Sequence, residues 1–153
     1  MENDCLVCQK HQGLKVLWGG VIFENDLVYI SHAQLWGEET DHYLGHIMLE
    51  TKRHTPGLGD LTKAESEAIG YYASLTAKAL VETEGAEHVY SFVIGHHVPH
   101  FHMHVIARYP GAPREYWGTR VDEWPDAPRG GEEEIGQVAE RIQGFVAEQL
   151  KES

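Results

Sequence analysis

Five of the chain's eleven histidines, His96, His97, His100, His102 and His104, fall within nine residues. Three of them alternate with apolar residues in His100-Phe101-His102-Met103-His104-Val105-Ile106. Alternate side chains of a β-strand share a face. His100, His102 and His104 are therefore expected in a row on one side, with Phe101, Met103 and Val105 turned to a core. On an α-helix the same spacing would spread the rings around the axis and converge nothing. Imidazole is the side chain best suited to proton transfer, nucleophilic attack or metal binding near neutral pH. Chance surface histidines on a half-buried strand account for one or two such residues, and poorly for this density.

The only two cysteines form Cys5-Leu6-Val7-Cys8. In a cytosolic chain this spacing suggests a metal knuckle or a redox pair more than a structural disulfide. A redox pair is expected at a helix start that follows a strand. Here the motif lies at the N-terminus with no strand ahead of it. A tetrahedral zinc site would need two further ligands from elsewhere, and histidine is the obvious source.

Composition narrows the possible partners. The 153 residues suit a single domain, and 24 acidic against 12 basic residues leave a net charge of -12. Such a field repels nucleic acid, whose binding depends on displacing counterions with Lys and Arg. A small phosphorylated ligand remains compatible, because a local cluster can oppose the global charge, and histidines with Lys52, Arg53 and Arg108 could form one. No stretch approaches the ~20 apolar residues of a membrane span. The acidic N-terminus is followed by no apolar h-region, so the expected location is cytoplasmic, with no membrane partner.

The elements that must position the histidines can be read in order. Residues 15–24 and 27–31 are rich in β-formers around an Asn25-Asp26 turn, which predicts a hairpin. Residues 33–44 read as loop. Residues 45–50 read as a strand running into Lys52-Arg53-His54 and stopped by Pro56, Gly57 and Gly59. Thr62 and Glu65 have capping-box spacing and open a helix to about Glu84, with Ile69, Tyr72, Leu75, Thr76, Ala79 and Leu80 as its core stripe. A strand over 89–94 leads through Gly95-His96-His97 to the histidine strand, which continues to about Arg108. Residues 110–128, rich in proline and aromatics, are expected to wrap over the domain or a partner subunit, because exposed Trp pairs are costly. A last helix over 132–151 carries Ile135, Val138, Ile142, Phe145, Val146 and Leu150 on one face.

With these residues in view the chain resembles the histidine-triad (HIT) superfamily, whose signature His-φ-His-φ-His-φ-φ is met at every position of 100–106. The stretch from Gly45-His46 to Lys52-Arg53-His54 resembles the family's strand ending in a basic pair and a histidine. Cys5-Leu6-Val7-Cys8 resembles the N-terminal knuckle of its zinc-containing bacterial branch. The resemblance runs from residue 5 to about 108. It implies one HIT-like α+β domain over 1–153: an antiparallel sheet of about five strands, a long helix packed on it, and the 110–151 extension with the C-terminal helix. It also implies a homodimer.

Family members attack the α-phosphorus of a nucleotide or similar phosphate ester with the middle histidine, here His102. A covalent nucleotidyl-histidine forms and is released to water or another acceptor. His104 would orient the phosphate or donate a proton. The zinc ligands of the branch correspond to Cys5, Cys8, His54 and His100. His97, His104 and Arg108 are expected around the phosphate, with His96 either beside them or capping the turn after Gly95. The implied activity is nucleotide hydrolysis or transfer at a phosphoanhydride or phosphoramidate, with a dinucleoside polyphosphate as first candidate substrate. Alternatives are a hexose-phosphate-type nucleotidyltransferase, a catalytic metal held by all three triad histidines, and a non-catalytic zinc-stabilised nucleotide-binding protein. The chain departs from the family at Ser31-His32, where an acidic residue usually holds the ribose. It departs again at Glu50-Thr51, where Ile-Pro is usual, and at the shortened loop Gly95-His96-His97.

Overall fold

The computed structural model describes residues 4–34 and 40–152. Its strands are β1 (Val21–Glu24), β2 (Val28–His32), β3 (His42–Tyr43), β4 (His46–Thr51), β5 (His88–Phe92), β6 (His102–Arg108) and β7 (Arg129–Gly130). Its α-helices are α1 (Leu6–His11), α2 (Lys63–Glu84) and α3 (Glu132–Glu152). Five strands form one antiparallel sheet in the order β1-β2-β4-β6-β5, as expected. Alternation along β4 and β6 divides its faces. Ile47, Leu49, Val105 and Ala107 join the main core with Ile69, Leu80, Val138 and Ile142 of the two long helices. His46, Met48, Glu50, His102 and His104 take the other face.

The long helix begins where its capping box demands. The Glu65 amide donates to the Thr62 hydroxyl at 3.1 Å, and the Thr62 amide donates to the Glu65 carboxylate at 2.8 Å. Arg53, just beyond β4, reaches the same carboxylate from its Nη2 at 2.8 Å, which ties the helix start to the strand end. Gly85 ends the helix in a left-handed conformation at φ 73°.

The first strand is shorter than its composition predicts. Residues 15–20 lie outside it, because Gly19 and Gly20 hold φ at 80° and 67°. Gly19 also passes so close to α3 that a Cβ there would lie 2.7 Å from that of Ala139. A small second sheet pairs β3, inside the 33–44 stretch, with β7, which directly follows the aromatic wrap. Of that loop, residues 35–39 lie outside the described residues. The wrap lies on this chain's own sheet, where Val121 packs against Tyr43 and Ile106.

His100 is not on the histidine strand. The β4–β6 ladder stops at Glu50 opposite His102. Beyond it the chain leaves β4, and the Phe101 amide donates to Thr55 at 2.7 Å. The expected row of three is therefore a row of two with the third turned aside.

Candidate active site

The turn at His100 carries its ring to the N-terminal knuckle. The Cys5 and Cys8 sulfurs and one nitrogen each of His54 and His100 all lie within 4.8 Å of one another. His100 Nδ1 is 3.5 Å from Cys5 Sγ and 3.3 Å from Cys8 Sγ, and His54 Nδ1 is 3.3 Å from Cys8 Sγ. A tetrahedral zinc with ordinary bond lengths spaces sulfur from nitrogen by about 3.5 Å, so the donor set fits that ion. His100 Nε2–H donates to the Thr51 carbonyl at 2.6 Å, which leaves the lone pair on Nδ1, toward the sulfurs. Both cysteines are buried thiols without a disulfide.

Helix α1, with Cys5 at its N-cap, carries more than the knuckle. Its Lys10 Nζ donates to Glu50 Oε2 at 2.6 Å, and His11 Nε2–H donates to Glu50 Oε1 at 3.0 Å. All three lie beneath the surface, with Glu50 only 1% exposed. Burial pushes the Glu50 carboxyl up, but the Lys10 charge and the two hydrogen bonds more than reverse this and hold it below its ordinary value. Glu50→Gln should cost about 3–5 kcal/mol of stability, because it strands a buried ammonium. Denaturant titration checks this against the double variant Lys10→Met/Glu50→Leu. A double variant as unstable as the single one would mean the ion pair is not the cause.

Beside Lys10 and Glu50 lies a cavity of about 180 Å³. Leu6, Val7 and Lys10 form one wall, and Met48, Glu50, Val98, His102 and His104 line it from the sheet and the triad loop. His32, Ala33, Gln34, His42 and His46 complete the lining. His102 Nδ1–H donates to the His100 carbonyl at 2.7 Å. A carbonyl only accepts, so this bond places the hydrogen on Nδ1 and the lone pair on Nε2. His104 Nδ1 is 2.8 Å from His46 Nε2, and His46 Nδ1 is 2.9 Å from His42 Nε2. Phe92 stacks on the His104 ring with centres 4.8 Å apart.

Burial keeps His104, His46 and His32 neutral. It lowers His104 to about 4, helped by His102, and lowers His32 to about 4 despite the bond to Ala33. His46 is lowered well below the ordinary value by burial first and then by His42, His104 and His32. The unfolded chain takes up these protons near pH 6.5, and the folded one refuses them until much lower. The contribution to stability is therefore complete above that value and is lost as pH falls toward about 4. For His32 alone the loss is roughly 3 kcal/mol. Unfolding midpoints should drop between about pH 7.5 and about pH 5, the range over which an ordinary histidine titrates. His32→Gln should flatten that drop; an unchanged slope would refute the assignment.

Not every expected residue reaches the site. The structure places Arg108 away from the cavity: its Nη1 donates to the Tyr90 hydroxyl at 2.7 Å and its Nη2 to Glu87 at 3.2 Å. Its guanidinium also lies 3.7 Å over the Trp117 ring, so its charge is already engaged at the far end of β6. His96 and His97 are exposed on the loop, and neither lines the cavity, although the adjoining Val98 does. The three triad rings do not converge on a point, which removes the reading of a metal held by all three. Sequence reasoning missed Lys10, His32 and His42. It also gave no role to His46 and Glu50, although His46-Ile47-Met48-Leu49-Glu50 alternates like the triad and signals the same face.

Comparison with known proteins bears on this geometry. The HIT domain model matches residues 20–111. No curated protein matches in sequence. Among solved structures, a zinc-bound histidine triad family protein from Mycobacterium smegmatis superposes with TM-score 0.71 at 18% identity, covering 100% of both chains. A histidine triad protein from Sinorhizobium meliloti gives TM-score 0.64 at 25% identity over 82% of this chain and 87% of that one. Diadenosine triphosphate hydrolase from Plasmodium falciparum gives 0.60 at 16% identity over 88% and 80%. The matched segment contains the whole ladder from β1 to β6 and the triad that the ladder presents, and the chain belongs to the HIT domain family.

Proposed function

We propose that this chain is a nucleotide hydrolase or transferase that cleaves a phosphoanhydride or phosphoramidate through a covalent nucleotidyl-histidine at His102. One observation carries the reading. The bond from His102 Nδ1 to the His100 carbonyl leaves Nε2 unprotonated in a ring that lines the cavity. A neutral imidazole nitrogen is a competent nucleophile at pH 7 and forms a phosphoramidate labile enough to turn over. In the first step a bond forms from Nε2 to phosphorus and the bond to the leaving group breaks. His104 gives that group its proton. In the second step water or another acceptor attacks phosphorus, the bond to Nε2 breaks, and the acceptor's proton passes to His104.

Zinc in the Cys5, Cys8, His54 and His100 set would supply structural cross-linking rather than chemistry, as a closed four-ligand site does. His100 connects the two halves, since its ring faces the sulfurs and its carbonyl orients His102. His97 is proposed as a further phosphate contact through the loop that also places Val98 in the cavity. No carboxylate takes the ribose position at Ser31-His32, and His32 does not replace it, because both of its nitrogens are held by backbone. The reading includes the zinc-containing bacterial branch, a single domain over 1–153, a homodimer and a cytoplasmic location. Among the described residues no helix is long and apolar enough to cross a membrane.

The test is intact-mass spectrometry after incubation with a panel of nucleotides headed by dinucleoside polyphosphates. A mass gain of one nucleotidyl group, mapped to His102, is the expected result. Supplying hexose phosphate as acceptor separates transfer from hydrolysis. Neither adduct nor turnover across the panel would overturn the reading.

A further inference from the structure

The rings behind His104 are joined in a way that nucleophilic attack by His102 does not use. His104, His46 and His42 meet nitrogen to nitrogen at 2.8 and 2.9 Å. Their ring centres lie 5.0 and 5.1 Å apart with planes within 27° of each other. Those separations nearly reach the sum of the nitrogen contact and the two centre-to-nitrogen radii, the largest value the contact allows. The rings therefore meet edge to edge and nearly coplanar, the geometry of N–H···N hydrogen bonds. A metal site gathers donor atoms on one point, and among the described residues only the Cys5, Cys8, His54 and His100 group does so. The three cavity rings are instead strung head to tail.

We propose that His42 and His46 form a proton relay behind His104, moving one proton to and from its Nε2 as the leaving group departs and water enters. The proposal rests on the phosphoryl-transfer reading above. In the loaded form His42 carries hydrogen on both nitrogens, and His46 and His104 carry it on Nε2. The leaving-group oxygen takes the hydrogen from His104 Nε2. His104 Nδ1 then takes the one on His46 Nε2, and His46 Nδ1 takes the one on His42 Nε2. The run is now neutral at every ring, and His104 Nε2 is a bare base. Attacking water gives its proton to that nitrogen and the run returns to its first state. One proton leaves and one returns in each cycle. The half-buried ring of His104 carries no net charge in either state.

His32 stands next to this run without joining it. Its Nδ1–H donates to Ala33 O at 2.7 Å and its Nε2 accepts from the Gly45 amide at 3.0 Å, so neither nitrogen is left to pass a proton. What it does is hold Gly45, at φ 89°, immediately before His46. His42 and His46 are accordingly positioning residues that act through His104, and His32 is a clamp on the strand that carries one of them.

The experiment compares phenyl and p-nitrophenyl esters of adenosine 5′-monophosphate as probes in wild type and His42→Gln. A glutamine amide can still donate to His46 Nδ1 but cannot take up the proton passed back. p-Nitrophenolate leaves without a proton, whereas phenolate needs one. Adduct formation from the phenyl ester should fall on the order of 10- to 100-fold, with the p-nitrophenyl ester changing by less than about threefold. The ratio of the two rates is internal to each protein, so a partly unfolded variant lowers both and leaves it unchanged. An unaltered ratio would overturn the relay. If wild type forms no adduct with either ester, the functional reading fails instead. Imidazole ¹⁵N spectra then decide the run by itself. Hydrogen-bonded protons linking His46 to both neighbours are expected, and their absence refutes it.

Discussion

Replacing His102 with alanine should abolish the covalent adduct and lower turnover by on the order of 10,000-fold or more, while zinc content and fold are retained. The ring is half-buried and makes one polar contact, to the His100 carbonyl, so its removal costs little packing. The neighbouring His100 keeps its own partners, the two sulfurs and the Thr51 carbonyl. His104→Ala should behave differently. It removes a proton donor and leaves the nucleophile, so an adduct still appears but forms or breaks down roughly 100- to 10,000-fold more slowly. Single-turnover kinetics with intact-mass detection distinguishes the two variants. If His102→Ala turned over at near the normal rate while metal removal alone destroyed activity, the nucleophile would have to be sought elsewhere.

Removal of zinc, or Cys8→Ser, should release helix α1 and with it one wall of the cavity. The helix has six residues, too short to persist without tertiary support, and its knuckle and the Lys10–Glu50 pair are its main anchors. The two anchors are coupled. Once the helix leaves, Glu50 is a buried carboxylate without its ammonium, a loss of about 3–5 kcal/mol beyond the metal itself. The main core between sheet and long helices contains none of these residues, so the damage should be local. Hydrogen exchange should show amides of residues 6–12 opening first, with those of β4 next. Metal analysis should find one zinc per chain in the untreated protein. Exchange in α1 that is unchanged by chelation would show that the metal does not hold the helix.

Much of this site is legible in the chain because its information is local. A triad spaced by two residues on a β-forming run marks a shared strand face, and Thr62 with Glu65 marks a helix start within one turn. Those signals, with the resemblance they support, establish the HIT fold and point to His102. The convergence of Cys5 and Cys8 with His54 and His100 follows from the family pattern rather than from spacing. Nothing within 40 residues of Cys8 indicates His54, whose ring lies 46 positions away.

Where local sequence is silent, a distant partner decides the placement. Arg108 has the charge for a phosphate contact, but Glu87, Tyr90 and Trp117 engage it first. His100 has the spacing of a strand residue, but β4 diverges after Thr51 and the ring turns to the cysteines. His42 sits in a stretch that reads as loop, yet it joins His46 and, through a contact spanning 58 positions, His104. The sequence by itself determined which residues could do chemistry and on which elements they sit, since periodicity and capping are set by neighbours a few residues apart. Only the tertiary structure decided which nitrogens face one another, because pairing β4 beside β6 brings those atoms to hydrogen-bonding distance and nothing local along the chain encodes it.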